Sequence, residues 1–426
     1  MIRRFIPISA AVLAVTLAAC AQGPDGDDLD AGSPPDHEDT TALGDGHGAI
    51  PGAQEVAEPQ LHLLTIDQDG AARHLDLLDE SVDTLGTIDG ATELATEGRY
   101  GYAIRPDAGA VTVVDSGVWS WNHVDHFHYY RSDPSVLGDV RANGDFDAAA
   151  GVHATVSAND FGAGFFFPET GEAVMIAADR LGAGELDEAF RVAAEPHDGL
   201  VVPIGNRALV TEPGPDGTAA RIQALSSDGE LLGHAADCAD ARGTITTVVG
   251  TVIGCSDGAL LATTSDGGVE FEFIAYPDAG SAPRADEFRA RKDRPTVAGV
   301  AGESGIWLLH TRNREWTLID AGEPIVQAAA VDNAESHVVA LTADGSVLVL
   351  SAKTGERLAA TDPLVPDSSA DPQRRAGIAL TVDQHRAYLN GPAENKLFEI
   401  DFADNARVAR VFDTPTEPRL MVETGR

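Results

Sequence analysis

Three of the thirteen histidines of the chain, His123, His126 and His128, lie within six residues of one another, together with Asp125. Neutral imidazole nitrogens bind zinc at about 2.0–2.1 Å, and a carboxylate can add charge or orient an imidazole. On an extended strand His126 and His128 share one face, whereas His123 would have to curl back to join them. The stretch therefore predicts a zinc site, and the alternative is an exposed strand whose histidines serve solubility alone.

Residues 1–20 have the layout of a secretory signal. Two arginines precede an apolar run from Ile6 to Leu17, which closes with the sequence Leu-Ala-Ala-Cys at Cys20. The segment is too short to span a bilayer as a mature helix. Its ending resembles a bacterial lipobox, and the alternative is a plain signal peptide with an incidental cysteine. We expect a lipoprotein signal peptide, with Cys20 anchoring an extracytoplasmic protein to a bacterial membrane at the cell surface or on its periplasmic side.

The remaining cysteines, Cys238 and Cys255, form an even pair. An oxidising compartment preserves disulfides, so we expect these two to be bonded. Their spacing is neither C-x-x-C nor followed by a second pair, which argues against a zinc site at this position.

Residues 21–59 are rich in Asp, Gly, Pro and Ala and contain few large apolar side chains. Such a segment cannot bury enough surface to offset its ordering entropy. We expect a disordered acidic linker that holds the folded domain away from the membrane. Its histidines, His37 and His47, could also collect metal or cover a metal site.

The formal net charge of −39 excludes nucleic acid as a partner, because phosphate binding needs clustered Lys and Arg. Strong acidity raises the local concentration of cations without identifying a site for them.

Residues 60–426 read as an all-β domain of short strands joined by turns such as Asp228-Gly229 and Asp344-Gly345. Small-residue strands recur about every 40 to 50 residues, which indicates a single β-propeller whose innermost strands crowd around the axis. We count eight such segments: residues 92–96, 153–157, 199–202, 243–246, 296–300, 326–330, 377–380 and 419–422. Eight blades follow, although the short spacing between the fifth and sixth segments leaves seven as an alternative. The last segment can pair with strands near residues 61–67 and 72–78, so that the N- and C-terminal strands close the ring.

Two isolated histidines acquire interest from this architecture. His153 and His197 occupy similar places, at the entry to the inner strands of consecutive blades. Both should point toward one mouth of the central channel, where two imidazoles could share a metal ion. A structural role for each of them is the alternative.

The chain resembles the AztD family of zinc metallochaperones. The resemblance is carried by Asp125-His126-Phe127-His128-Tyr129-Tyr130, by the run from His197 to Gly205, and by residues 249–258 around Cys255. It implies a secreted, monomeric propeller that holds zinc through histidines and hands it to the solute-binding protein of a zinc ABC transporter. It also implies ligand exchange instead of enzymatic catalysis.

One residue departs from the pattern that this resemblance leads us to expect. Arg242 stands where the family would place a further histidine before the next inner strand. A guanidinium cannot ligate zinc and repels it, so the channel-mouth site would be weakened or rebuilt from other residues, such as the His123–His128 cluster, Asp198 or the linker histidines. Arg242 therefore favours the alternative function, a metal-free, lipid-anchored propeller that acts as a protein-interaction module.

Overall fold

A computed structural model describes residues 50, 52–122, 126–143, 151–277 and 282–426. Within these ranges the chain forms 34 strands, three short α-helices and one 3-10 turn. No helix within these ranges is long and apolar enough to cross a bilayer. Five residues singled out above lie outside the described ranges: Cys20, His37, His47, His123 and Asp125.

The strands are short, and their bounds are as follows. The first ten are β1 (Gln54–Val56), β2 (His62–Asp67), β3 (Ala71–Asp76), β4 (Val82–Thr87), β5 (Glu93–Thr96), β6 (Tyr100–Arg105), β7 (Ala110–Asp115), β8 (Val118–Asn122), β9 (Phe127–Arg131) and β10 (Ser135–Arg141). The next twelve are β11 (Thr155–Asn159), β12 (Gly162–Phe167), β13 (Glu172–Ala177), β14 (Phe190–Ala193), β15 (Val201–Ile204), β16 (Arg207–Pro213), β17 (Ala219–Leu225), β18 (Leu231–Asp237), β19 (Arg242–Thr246), β20 (Thr251–Cys255), β21 (Gly258–Ser265) and β22 (Gly268–Ala275). The last twelve are β23 (Thr296–Ala301), β24 (Gly305–His310), β25 (Glu315–Asp320), β26 (Ile325–Ala330), β27 (His337–Thr342), β28 (Val347–Ser351), β29 (Arg357–Ala360), β30 (Leu380–Val382), β31 (Ala387–Gly391), β32 (Lys396–Asp401), β33 (Arg407–Asp413) and β34 (Pro418–Thr424). The helices are α1 (Ala178–Gly182), α2 (Pro366–Ala370) and α3 (Pro372–Arg375), and the 3-10 turn is Pro106–Ala108.

Eight antiparallel sheets are the blades of a propeller, which confirms the predicted fold class and the count of eight. From the innermost strand outward they are β34-β2-β3-β4, β5-β6-β7-β10, β11 to β14, β15 to β18, β19 to β22, β23 to β25, β26 to β29 and β30 to β33. Blade 1 joins the two ends of the domain, because β34 pairs antiparallel with β2 as predicted. Apolar clusters lie between successive blades, and one of them links Leu397 of blade 8 to Leu63 of blade 1. The ring is therefore closed by hydrogen bonds and by packing.

Small-residue segments line a central channel of about 1240 Å³. We predicted this lining for all eight blades, and it is found in seven of them. Blade 6 differs, because residues 287–293 lie between the channel and β23. Arg289 exchanges two backbone hydrogen bonds with Ala298 of β23, at 2.8 and 3.0 Å. The innermost element of this blade is thus a charged segment, which lacks the small-residue pattern of the other blades. Because this element precedes β23, it explains the short spacing between residues 296–300 and 326–330, which had left seven blades as an alternative.

The two faces of the ring are defined by the direction of the innermost strands. The exit face is where these strands end: Gly425, after β34, donates a backbone hydrogen bond to Gly98, after β5, and Asp160, after β11, pairs with Lys292 at 2.8 Å. The entry face is where they begin, and it carries Glu93 at the start of β5.

A ninth sheet has the order β1-β9-β8. Its strands β8 and β9 are an excursion of the chain between β7 and β10 of blade 2, and β1, which precedes blade 1, pairs with β9. The Ser120 hydroxyl on β8 donates to the Gly425 carbonyl at 2.7 Å, so this sheet lies on the exit face. Its edge strand β1 falls inside the segment that we predicted to be linker. Three residues are too few to show the alternation that marks a strand in sequence.

The predicted disulfide is present between Cys238, which follows β18 in blade 4, and Cys255 at the end of β20 in blade 5. Both residues are buried in the apolar cluster between these two blades. A closed loop of this length stabilises a fold by roughly 3 kcal/mol in the chain-entropy description.

Candidate metal centre

His126 and His128 face each other on the exit face. Their Nε2 atoms are 3.0 Å apart, and their ring centroids are 4.7 Å apart. Two nitrogens that bind one tetrahedral zinc ion at about 2.05 Å lie about 3.3 Å from each other. The observed separation is therefore within a few tenths of an ångström of the spacing that two ligands of one zinc ion require.

Glu55 lies behind this pair. Its Oε1 atom is 2.7 Å from Nδ1 of His128, the ring nitrogen that does not face His126. The contact depends on tertiary structure, because β1 pairs with β9 in a register that sets Glu55 opposite Tyr130. A carboxylate on the second nitrogen of a histidine is the arrangement that orients zinc-binding imidazoles in many proteins. Sequence reasoning missed Glu55, since it lies in a segment with the composition of a tether.

An aromatic column anchors β9, which contains His128 and is immediately preceded by His126. The ring of Tyr130, two residues beyond His128, stacks on Trp119 at 5.2 Å, and both rings are buried. The Arg99 guanidinium lies 3.9 Å from the centre of the Trp119 ring and forms an ion pair with Asp115 at 2.6 Å. Arg99, just before β6, therefore links blade 2 to β9 through the Trp119 ring of β8. His128 is less exposed than its position on a projecting sheet would suggest, with 15% of its side chain accessible.

Within the part of the chain that the structure describes, no three His, Cys, Asp or Glu side chains converge on one point. The described part of the centre is consequently a two-histidine pair supported by a carboxylate. The predicted ligands His123 and Asp125 lie outside the described residues, as do His37 and His47 of the linker.

His153 lies on the entry face and lines the channel. Its Nδ1 atom is 3.3 Å from Glu169 Oε1, and 62% of its side chain is exposed. Nearby, burial and the charge of Glu287 raise the pKa of Glu93, while the same carboxyl is attracted to His153. This mouth therefore combines acidic groups with one exposed histidine.

His197 has a different environment from His153. It is 5% exposed, and Nδ1 lies 2.7 Å from the Glu195 carbonyl while Nε2 lies 2.8 Å from the Thr211 hydroxyl. Its ring also packs edge-on against Phe166 at 4.6 Å. Zinc binding would cost one of these hydrogen bonds, and His197 is not among the residues that line the channel.

Arg242 also begins its strand on the entry face. Its guanidinium binds Asp240, and this hydrogen bond raises the already high pKa of Arg242. A second guanidinium, that of Arg284, is 3.2 Å from the same carboxylate. Arg242 is thus a permanent cation held by a salt bridge at this mouth.

No family model matches the chain. The zinc chaperone AztD of Citrobacter koseri is 22% identical to the chain over 311 residues, which are 70% of each sequence.

Two crystal structures of Citrobacter koseri AztD, one of them of the apo form, superpose with a TM-score of 0.71 at 20% identity. Each match covers 86% of this chain and 98% of the other. The dihydro-heme d1 dehydrogenase NirN superposes less well, with a TM-score of 0.51 at 14% identity over 86% of this chain and 76% of its own, and indicates a similar fold only. The resemblance to the AztD family that the sequence motifs predicted is therefore confirmed in sequence and in fold.

Proposed function

We propose that this protein is an extracytoplasmic zinc chaperone that binds its cargo ion through His126 and His128. One observation carries the proposal: two imidazole Nε2 atoms face each other at 3.0 Å on the exit face. The carboxylate of Glu55 on His128 supports it, since supported imidazoles are typical zinc ligands. The similar protein from Citrobacter koseri is named a zinc chaperone, which favours zinc over other divalent ions.

Two protein ligands leave positions on a tetrahedral ion for further groups. His123, Asp125 and the linker histidines His37 and His47 are the candidates from this chain. An acceptor protein can instead supply its own ligands there and take the ion in single exchange steps. Such an exchange is binding chemistry, and it needs neither a nucleophile nor a general base.

We further propose that the acceptor is the solute-binding protein of a zinc ABC transporter. Lipidation of Cys20 would hold the chaperone at the bacterial membrane on the side where such proteins work. The acidic segment that follows would let the monomeric propeller reach its acceptor. Because imidazole binds zinc only when neutral, zinc affinity should fall in acid.

Zinc stoichiometry and competition affinity, measured on the chain from residue 21 onward, test this function. Wild type should bind at least one zinc ion tightly. The variant His126→Ala/His128→Ala should bind it about 100-fold more weakly or worse, because losing direct ligands exceeds the 10- to 100-fold cost of losing a supporting partner.

His385→Ala is the matched control, because His385 is an exposed histidine in the β30–β31 turn on the same face. It should leave the affinity within twofold of wild type. If the unmodified chain retained no zinc at neutral pH, the chaperone function would be wrong. A metal-free, lipid-anchored interaction module would then be the remaining function.

A further inference from the structure

Strand β1 and its glutamate stand apart from the rest of the fold. In its sheet β1 is an edge strand of three residues with β9 as its partner. None of the apolar clusters of the described residues contains residues 54–56. The ring can therefore persist when β1 separates from β9, and short elements with few buried contacts are the ones that open most easily.

The contact that β1 makes with the candidate metal pair is specific. Glu55 Oε1 accepts a hydrogen bond from Nδ1 of His128 at 2.7 Å, while Nε2 of His128 faces His126. A proton held on Nδ1 by a carboxylate puts the lone pair of the neutral ring on Nε2. The same contact fixes the rotation of the ring. Glu55 thus selects the tautomer and the orientation that ligation through Nε2 requires.

We infer that Glu55 is a positioning residue for His128 and that pairing of β1 with β9 sets how tightly the histidine pair holds zinc. The inference rests on the proposed function of that pair. Separation of β1 withdraws the carboxylate without opening a blade, and it provides a local route to metal release. Binding and pairing are then linked: if β1 strengthens zinc binding, zinc must strengthen the pairing of β1 by the same factor.

Glu55→Ala and Glu55→Gln test the positioning role, with Glu58→Gln as the matched control. Glu58 is an exposed glutamate three residues away, and its change alters net charge as Glu55→Gln does. We expect zinc affinity to fall 10- to 100-fold in Glu55→Ala, which is the usual cost of losing such a partner. It should fall less in Glu55→Gln, whose amide oxygen can still accept from Nδ1, and less than twofold in Glu58→Gln.

Nitrogen NMR of the metal-free protein gives an independent readout. Wild type should carry the His128 proton on Nδ1, and Glu55→Ala should lose that preference. This measurement needs no zinc, so it reports on the Glu55 contact even if the chaperone function fails. Tight zinc binding by wild type together with unchanged affinity in Glu55→Ala would overturn the inference.

Amide hydrogen exchange tests the linkage to β1. Saturating zinc should slow exchange at residues 54–56 in wild type, and Glu55→Ala should abolish that slowing. Exchange at β20, in blade 5, serves as the internal reference, because all of its residues are buried inside a blade. If zinc bound tightly but left exchange at residues 54–56 unchanged, β1 would not control the site.

Discussion

The histidines of the exit face and those of the entry face differ in what surrounds their ring nitrogens. On the exit face, Nε2 of His126 and Nε2 of His128 face each other across 3.0 Å. On the entry face, His197 uses both nitrogens in buried hydrogen bonds, and His153 pairs with an exposed carboxylate. The comparison teaches that the surroundings of a histidine, and not its residue type, decide its chemistry.

The cause is the direction in which each segment leaves the ring. His197 leads directly into an inner strand, so its side chain is enclosed by blade 3 through Phe166 and by its own blade through Thr211. His126 and His128 lie on an excursion that leaves blade 2 and returns to it. There His126 immediately precedes β9 and His128 lies within it, and the two rings lie side by side.

The largest effects are expected from two substitutions, one on each face, of which one should lower stability and the other should lower zinc affinity. His197→Ala should destabilise folding by about 2–4 kcal/mol, because it removes a buried ring and leaves buried polar groups without partners. Its zinc affinity should stay near that of wild type. His128→Ala should do the reverse, with zinc affinity falling at least about 100-fold and stability changing by about 1 kcal/mol or less.

Urea unfolding and zinc competition on the same preparations make this comparison. A loss of zinc affinity in His197→Ala, with its folded fraction unchanged, would return the metal site to the channel mouth.

His74 is another buried histidine with a structural role, and its effect can be measured as the pH dependence of folding stability. Burial, reinforced by the neighbouring His62 ring at 4.3 Å, lowers the pKa of His74 to about 3. The unfolded chain takes up this proton below about pH 6.5, whereas the folded chain resists it, so stability is lost as pH falls from about 6.5 toward 3. At pH 4.5 the loss attributable to His74 is about 3 kcal/mol.

His74→Gln should remove that share of the acid sensitivity. The quantity to measure is the difference in unfolding free energy between pH 7 and pH 4.5, which cancels any constant cost of the substitution. Equal differences in variant and wild type would show that His74 does not resist protonation in the fold.

The smallest effect is expected at His153. Its ion pair with Glu169 is exposed, and such pairs contribute about 0–1 kcal/mol. His153→Ala should therefore change stability by less than about 0.5 kcal/mol and zinc affinity by less than twofold. If wild type bound a second zinc ion more weakly and His153→Ala did not bind it, the entry mouth would have a metal-binding role.

Much of the architecture could be predicted from the sequence, because the inner strands of a propeller consist of small residues and recur at a regular interval. Blade 6 shows the limit of that reading. Its innermost element, residues 287–293, is charged, and only its backbone bonds to β23 and β26 reveal its place. The closeness of the His126 and His128 rings could be expected because residues two apart in an extended chain share a face, although β9 itself begins only at Phe127.

Local sequence alone determined the spacing that brings His126 and His128 close together, the pairing of the two remaining cysteines, and the small-residue repeat that lines the channel in seven of the eight blades. These features depend on neighbours in the chain or on counting. Tertiary structure alone decided that Glu55 reaches His128 and that Thr211 and the Glu195 carbonyl occupy the nitrogens of His197. The reason is physical: a side chain becomes a ligand or a structural group according to what surrounds its polar atoms, and most of those surroundings come from distant parts of the chain.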